Sequence, residues 1–256
     1  DVKDRIATVT INRPEYSNAF ARESYYEIAD AMNTLGARDD VGVIVITGAG
    51  KHFSAGGDIK RFKMLVDTKT YLKAEDIEAV SAMPISIRNC PKPVIAMING
   101  VATGAGLSCA LACDFRIVEP SSKMIMAFVN MGLCGDNESI YTLTRLLGPD
   151  KAELMMMTGD AYKGEQCVKI GLATVLAEDG KLAETTYALA AKLASKSSTA
   201  HAGQKRLIRK YFYGGMENFA KDEGIEMAAA SRQPDFTEAV NAFIEKRMPA
   251  YNLPHK

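Results

Sequence analysis

Hydrophobic runs and amphipathic segments alternate along roughly the first 180 residues. The segment Ile6 to Ile11 alternates apolar and polar residues, which predicts a strand. Val41 to Gly48 and Val94 to Ile98 are continuous apolar runs, and these predict buried strands. Ser24 to Leu35 carries apolar residues at helical spacing, which predicts an amphipathic helix with Ser24 as its N-cap. Strands that alternate with helices predict an α/β fold with a largely parallel sheet.

The last part of the chain is helical in pattern throughout. We therefore expect an α/β core over residues 1–180, followed by a helical region over residues 181–256. The four helices predicted there are Lys181–Ala194, His201–Tyr213, Met216–Ser231 and Thr237–Lys246.

Two glycine-rich turns each follow a predicted buried strand and precede a predicted helix. Gly100–Gly106 contains three glycines, and the helix after it is expected to begin near Ala105. Gly56 and Gly57 stand beside Asp58, which is a good N-cap residue for the other helix. The first N–H groups of a helix lack intrahelical partners, and the helix dipole makes the spot mildly positive. The two turns could each aim one N–H group at the same oxygen, which is the make-up of an oxyanion hole.

The glycines have two other interpretations, a nucleotide-binding turn and tight packing, and their spacing disfavours the first. Dinucleotide-binding turns have the pattern G-x-G-x-x-G, whereas this turn has G-x-x-x-G-x-G, and no Gly-Lys-Ser/Thr of a nucleotide phosphate loop occurs. The glycines could also serve only to pack strand and helix tightly.

Four motifs together resemble the enoyl-CoA hydratase/isomerase (crotonase) superfamily over essentially the whole chain. They are T-I-N-R-P-x-x-x-N-A at Thr10–Ala19, F-S-A-G-G-D-I-K at Phe53–Lys60, N-G-x-A-x-G-A-G at Asn99–Gly106 and A-F-x-E-K-R at Ala242–Arg247. The resemblance implies a crotonase-like (ClpP/crotonase) spiral of β-β-α units with a C-terminal helical trimerisation region. It also implies an acyl-CoA thioester substrate, and a homotrimer or a dimer of trimers.

The resemblance implies roles for particular residues of this chain. The N–H groups of Gly57 and Ala105 match those that hold the thioester oxygen. Coenzyme A enters as part of the substrate, so no separate cofactor is expected. The residues implied or considered for binding the coenzyme A portion are Ala19, Ala55, Gly56, Ile59, Phe243 and Lys246, with Lys51, Lys60 and Arg61 as candidate phosphate partners.

The chemistry depends on which carboxylates face the acyl chain. The two glutamates of the hydratases would fall at Ser108 and Phe128, and neither is a carboxylate here. Asp136 matches the single catalytic carboxylate of the 3-enoyl-CoA isomerases. We therefore expect a shift of a double bond from 3-enoyl-CoA to 2-enoyl-CoA, with Asp136 as acid and base.

Several alternatives to an isomerase remain open. Asp136 could merely cap a helix predicted over Asn137–Leu147, with Glu138 exposed on its first turn. Asp136 also matches an acid of the dienoyl-CoA isomerases and the nucleophile of 4-chlorobenzoyl-CoA dehalogenase, but that enzyme's histidine and tryptophan positions hold Ser81 and Phe128 here. A hydratase-like enzyme, a thioester hydrolase and a non-catalytic acyl-CoA-binding or RNA-binding relative are the other candidates.

Composition narrows the function classes. The 31 basic and 31 acidic residues balance, so no global positive field attracts nucleic acid or an anionic membrane. No apolar run reaches the roughly 18 residues of a membrane span. Five scattered cysteines, without C-x-x-C, and three histidines argue against a zinc site and suit a reducing compartment. We expect a cytoplasmic protein without a metal.

Overall fold

The computed structural model describes residues 1–251, so the last five residues of the predicted helical region lie outside it. The strands are Val2–Lys3 (β1), Ile6–Ile11 (β2), Val43–Gly48 (β3), Val94–Met97 (β4), Val101–Thr103 (β5), Phe115–Val118 (β6), Lys123–Ile125 (β7), Ala161–Lys163 (β8) and Val175–Leu176 (β9). The helices are Arg22–Ala37 (α1), Ile59–Asp67 (α2), Ala74–Val80 (α3), Ala82–Asn89 (α4), Ala105–Ala112 (α5), Ser139–Leu147 (α6), Pro149–Thr158 (α7), Gly164–Ile170 (α8), Leu182–Ala194 (α9), Ser198–Tyr211 (α10), Met216–Ala230 (α11) and Pro234–Glu245 (α12).

The strands of residues 1–251 form two sheets. The larger has the order β1-β2-β3-β4-β6-β9, and only its β1-β2 pair is antiparallel. The smaller has the order β5-β7-β8, with β5 and β7 parallel. The predicted α/β fold with a largely parallel sheet is thus confirmed, and a helical C-terminal region follows it.

Strand β3 shows why its sequence is a continuous apolar run. All six of its residues are buried, because helices cover both faces of the large sheet. Alternate side chains point to opposite faces, so Ile44 and Ile46 join the main core while Val43 and Val45 pack towards α9. The C-terminal helical region therefore supplies one wall of the sheet.

The ends of β3 and β4 are tied together, and this fixes the loops that follow them. The Asn99 amide donates to the carbonyls of Gly48 and Gly50 at 2.8 and 3.0 Å and accepts from the Gly48 N–H at 3.1 Å. Farther along, Ser54 N–H donates to Val101 O at 3.0 Å and Thr103 N–H to Ser54 O at 3.1 Å. The two glycine turns are thereby linked in one short parallel pairing.

Several predicted helix boundaries are wrong, including the starts of α10 and α12, which are Ser198 and Pro234 in place of His201 and Thr237. Helix α1 begins at Arg22, so Ser24 lies within its first turn instead of capping it. Helix α6 begins at Ser139, because Asn137 and Glu138 adopt left-handed backbone conformations with φ of 55° and 51°.

No helix within residues 1–251 is long and apolar enough to cross a membrane. The same part of the chain contains no group of three or more histidine, cysteine or acidic side chains arranged to hold a metal ion.

We expect Gly106→Ala to lower the free energy of unfolding by about 1–3 kcal/mol, because the core there has no space for a methyl group. An added Cβ would lie 2.6 Å from Ser54 Cβ and 2.7 Å from Ser54 O. Gly203→Ala is the matched control, since Gly203 lies inside α10 with only the Arg206 guanidinium nearby, at 3.8 Å. That control should gain about 0.5–1 kcal/mol from reduced chain entropy. Urea denaturation measures both, and equal effects of the two substitutions would contradict the packing argument.

Candidate active site

The two glycine turns meet backbone to backbone. Gly56 has a φ of +86°, and a Cβ on it would lie 2.7 Å from the Thr103 carbonyl oxygen and 3.4 Å from the Ala105 nitrogen. Any side chain at Gly56 would therefore force the turns apart, and its backbone conformation also favours glycine. The glycine spacing seen in the sequence is a requirement of this close approach.

Gly57 and Ala105 lie beside this contact and line the same cavity. Within residues 1–251, neither N–H donates a hydrogen bond. Ala105 is the first residue of α5, so its N–H has no intrahelical acceptor. Two unpartnered donors that border one cavity can hold a single acceptor oxygen.

The cavity has a volume of about 450 Å³ and a mostly apolar wall. Its floor and sides come from both the core and the C-terminal helices. Apolar side chains on the wall include Leu72, Ile77, Val80, Phe128, Leu133 and Met227. Such a space suits a hydrophobic acyl chain.

Asp136 is on the wall of the cavity and is only 7% exposed. Its carboxylate accepts a hydrogen bond from the Asn137 amide at 2.7 Å. Its backbone carbonyl accepts from the Ser108 hydroxyl at 3.2 Å and from the Ser139 N–H at 3.2 Å. Helix α6 has no side-chain cap, so the alternative in which Asp136 only caps that helix is wrong.

The surroundings of Asp136 tune its acidity. Burial raises the pKa of Asp136 to about 6, while the Asn137 hydrogen bond and the positive charge of Arg61 act in the opposite direction. A carboxyl group with that pKa is mostly ionised at neutral pH and still returns a proton readily. That balance suits an acid and base.

Two further carboxyl groups lie behind Asp136, and the expected exposure of Glu138 is wrong. Glu138 is 0% exposed, and its left-handed backbone immediately precedes α6. Glu223, on α11, is 4% exposed and accepts a hydrogen bond from the Glu138 N–H at 2.7 Å. Burial raises the pKa of Glu138 to about 8 and that of Glu223 well above its ordinary value, and the charge of Asp136 adds to both shifts.

Most residues predicted to bind the substrate lie on the cavity wall, together with the three predicted catalytic residues. Ala19 and Lys246 do not; Lys246 ends α12, and its neighbour Arg247 is on the wall instead. Of the three candidate phosphate partners only Arg61 is on the wall. The predicted residues on the wall are Ala55, Gly56, Gly57, Ile59, Ala105, Asp136 and Phe243.

Two residues of the site were not predicted from the sequence, namely Tyr25 on the cavity wall and Glu223 on α11. The amphipathic pattern of α1 does mark Tyr25 as near the core, since Ile28 and Met32 follow it at helical spacing. No pattern marked Glu223, because an acidic residue among Lys221, Asp222 and Glu226 resembles a solvated helix face.

We expect the Glu138→Gln variant to lose less stability than the parent protein as the pH rises. The folded pKa of about 8 lies above the ordinary glutamate value of 4.5, so the folded protein holds a proton that the unfolded chain releases. Stability should therefore fall between about pH 4.5 and pH 8, by about 1.4 kcal/mol per pH unit for one such group.

Melting temperatures from pH 5 to pH 9 test this, with the exposed Glu226→Gln on α11 as control. The control should follow the parent protein, while Glu138→Gln should show a shallower decline. Identical profiles for all three proteins would contradict the burial of a protonated Glu138.

The sequence and the fold both match known proteins. The family model for enoyl-CoA hydratase/isomerase matches residues 1–253. The chain is 31% identical to a trans-2-decenoyl-[acyl-carrier-protein] isomerase of Streptococcus mutans, covering 98% of this chain and 96% of that protein. It is 30% identical to a 1,2-epoxyphenylacetyl-CoA isomerase of Escherichia coli, with the same coverage.

The crystal structure of an enoyl-CoA hydratase from Mycobacterium avium subsp. paratuberculosis superposes with a TM-score of 0.88 at 26% identity, covering 98% of this chain and 97% of that one. The family match, the shared fold and the paired glycine turns agree with the resemblance seen in the motifs. The chain therefore belongs to the enoyl-CoA hydratase/isomerase family.

Proposed function

We propose that this protein moves a carbon–carbon double bond in an acyl-CoA thioester, converting a 3-enoyl into a 2-enoyl thioester. One observation carries the proposal: among the wall residues within 1–251, Asp136 is the carboxylate without a cationic partner. Asp58 is the other acid on the wall, and it pairs with Arg13 at 3.2 Å and caps α2. An unpaired carboxylate beside an apolar space is available for proton transfer.

The first step takes a proton from C2 of the 3-enoyl thioester. Its electrons delocalise over the double bond and the thioester carbonyl, so negative charge develops on the carbonyl oxygen. The N–H groups of Gly57 and Ala105 are the donors we assign to that oxygen. Loss of one such donor typically costs about 3–4 kcal/mol of transition-state stabilisation.

Asp136 both accepts the C2 proton and returns a proton to C4. One carboxyl group is enough, because the reaction has no net proton uptake and adds no water. Its pKa of about 6 supports both roles near neutral pH. One of the relatives is named a trans-2-decenoyl-[acyl-carrier-protein] isomerase, which is consistent with this assignment.

Hydration would need a second group to activate water, and the chain offers none at the two matching positions. Phe128 is a hydrocarbon ring on the wall. The Ser108 hydroxyl is 3.2 Å from the carbonyl oxygens of both Gly104 and Asp136, so its hydrogen-bonding capacity is engaged by the backbone. Double-bond transfer is therefore favoured over addition of water.

For the coenzyme A portion we propose that Ala55, Gly56 and Ile59 border the adenine and the pantetheine arm, as the family motif implies. Phe243 is 60% exposed and also on the cavity wall, which suits a side chain near the entrance.

Helices α10 to α12 carry exposed apolar side chains, including Leu207, Tyr211, Ile225 and Ile244, and these support the proposal of a homotrimer.

We expect Asp136→Asn to lower the rate of 3-enoyl to 2-enoyl conversion by about 10²–10⁴-fold, because the amide cannot accept the proton. Binding of a saturated acyl-CoA should be unchanged, since the substitution preserves size. A coupled absorbance assay with 3-hexenoyl-CoA and a thiol reagent measures isomerisation and hydrolysis together. Asp150→Asn, on the exposed first turn of α7, is the control. An unchanged rate for Asp136→Asn would refute the proposal, and so would the release of free thiol in place of isomerisation.

We expect kcat/KM to fall about tenfold per pH unit below about pH 6 and to be level above it, because the base of the free enzyme must be ionised to accept the C2 proton. The charged or titratable groups near Asp136 include Arg61, Tyr25, Cys134, Glu138 and Glu223. Circular dichroism at each pH separates loss of rate from loss of fold. A rate that is flat from pH 4.5 to pH 7.5 would exclude Asp136 as the base.

A further inference from the structure

The apolar wall carries polar side chains that have no partner within the part of the chain that is described, namely Arg61, Tyr25 and Thr103. Arg61, on α2, has no carboxylate within ion-pair distance, and the Tyr25 hydroxyl, on α1, makes no hydrogen bond to residues 1–251. By contrast, Arg247 on the same wall is paired with Glu238 and with Glu245. Among the uncommitted groups, the guanidinium of Arg61 and the phenol of Tyr25 are the two large ones.

Leaving such groups unpaired at an apolar surface is unfavourable unless water or a ligand satisfies them. Tyr25 is 5% exposed, and it lines the cavity. A hydroxyl in that position costs stability that a phenylalanine would not cost. A ligand that accepts a hydrogen bond from it would recover that cost.

Both groups line the cavity that Asp136 also lines. Burial raises the pKa of Asp136 and of Tyr25, and the positive charge of Arg61 opposes both shifts, which accords with their places on one wall. Asp136 is the residue assigned to the reacting carbons of the acyl chain.

We propose that Arg61 and Tyr25 donate hydrogen bonds to an oxygen atom on the acyl chain, so that the preferred substrates are acyl thioesters that carry a carbonyl or carboxylate group beyond the reacting carbons. The inference rests on the proposed function, because it uses the same acyl site. Arginine offers several N–H donors in a planar fork, which matches a carboxylate or a carbonyl oxygen. The apolar side chains around the cavity contact the hydrocarbon portion, and the two donors select the oxygenated end.

Binding of saturated thioesters tests the inference without any turnover. Hexanoyl-CoA, 5-oxohexanoyl-CoA and the coenzyme A monothioester of adipic acid have six-carbon acyl chains and differ only in oxygen near the far end. Isothermal titration should give at least about tenfold tighter binding for one or both oxygenated thioesters than for hexanoyl-CoA, a factor that corresponds to 1.4 kcal/mol. The ketone of 5-oxohexanoyl-CoA and the carboxylate of the adipic acid thioester show whether the site prefers a neutral or an anionic oxygen.

Variants then assign the preference to the two side chains. Arg61→Met and Tyr25→Phe keep most of the volume and remove the donors, so each should reduce the preference at least threefold. Lys63→Met is the matched control on α2, since Lys63 pairs with Asp67 and is not on the cavity wall, and it should keep the preference.

Each other outcome has a distinct meaning. Equal affinity of the parent protein for all three thioesters overturns the inference and leaves the double-bond shift intact. Arg61→Met weakening all three thioesters equally also overturns it, because Arg61 would then bind the coenzyme A portion. If no thioester binds, the proposed function itself fails.

Discussion

The close approach of two backbone turns is the constraint on which the site depends. The carbonyl oxygen of Thr103, in the turn before α5, would lie only 2.7 Å from a Cβ atom on Gly56. The contact is possible only because parallel strands β3 and β4 end at the same edge of the sheet and because Asn99 ties their ends together. Backbone donors fixed in this way need no side chain and lose little freedom when a ligand binds.

The same arrangement extends to the carboxyl group. Ser108 is one turn into α5 and contacts the backbone of Asp136, so the helix that begins at the candidate oxyanion donor also positions the candidate base. On the far side, Glu223 holds the left-handed turn at Glu138. Asp136 is therefore positioned by segments before and after it in the chain, and its burial is a consequence of both contacts.

Sequence reasoning succeeded where one local pattern had one structural cause. Strand periodicity gave the parallel sheet, and glycine spacing gave the two turns, because both follow from backbone sterics. It failed at Asn137 and Glu138, since left-handed backbone at two consecutive non-glycine residues is costly and is stabilised only by distant contacts such as Glu223. For the same reason it placed Glu138 at the surface, and it could not place Tyr25 or Arg61 on one wall, because α1 and α2 come together only in the folded chain.

The position of α9 on the large sheet has a consequence for how the protein is made. Leu182, Ala190 and Ala194 cover a face of the sheet formed by residues synthesised much earlier, including Val43 and Ile95. A growing chain on the ribosome completes its strands up to β9 before this cover exists, and Glu223 emerges later still. The nascent polypeptide therefore carries an uncovered apolar face during much of its synthesis, when association with another chain or a chaperone would be most favourable.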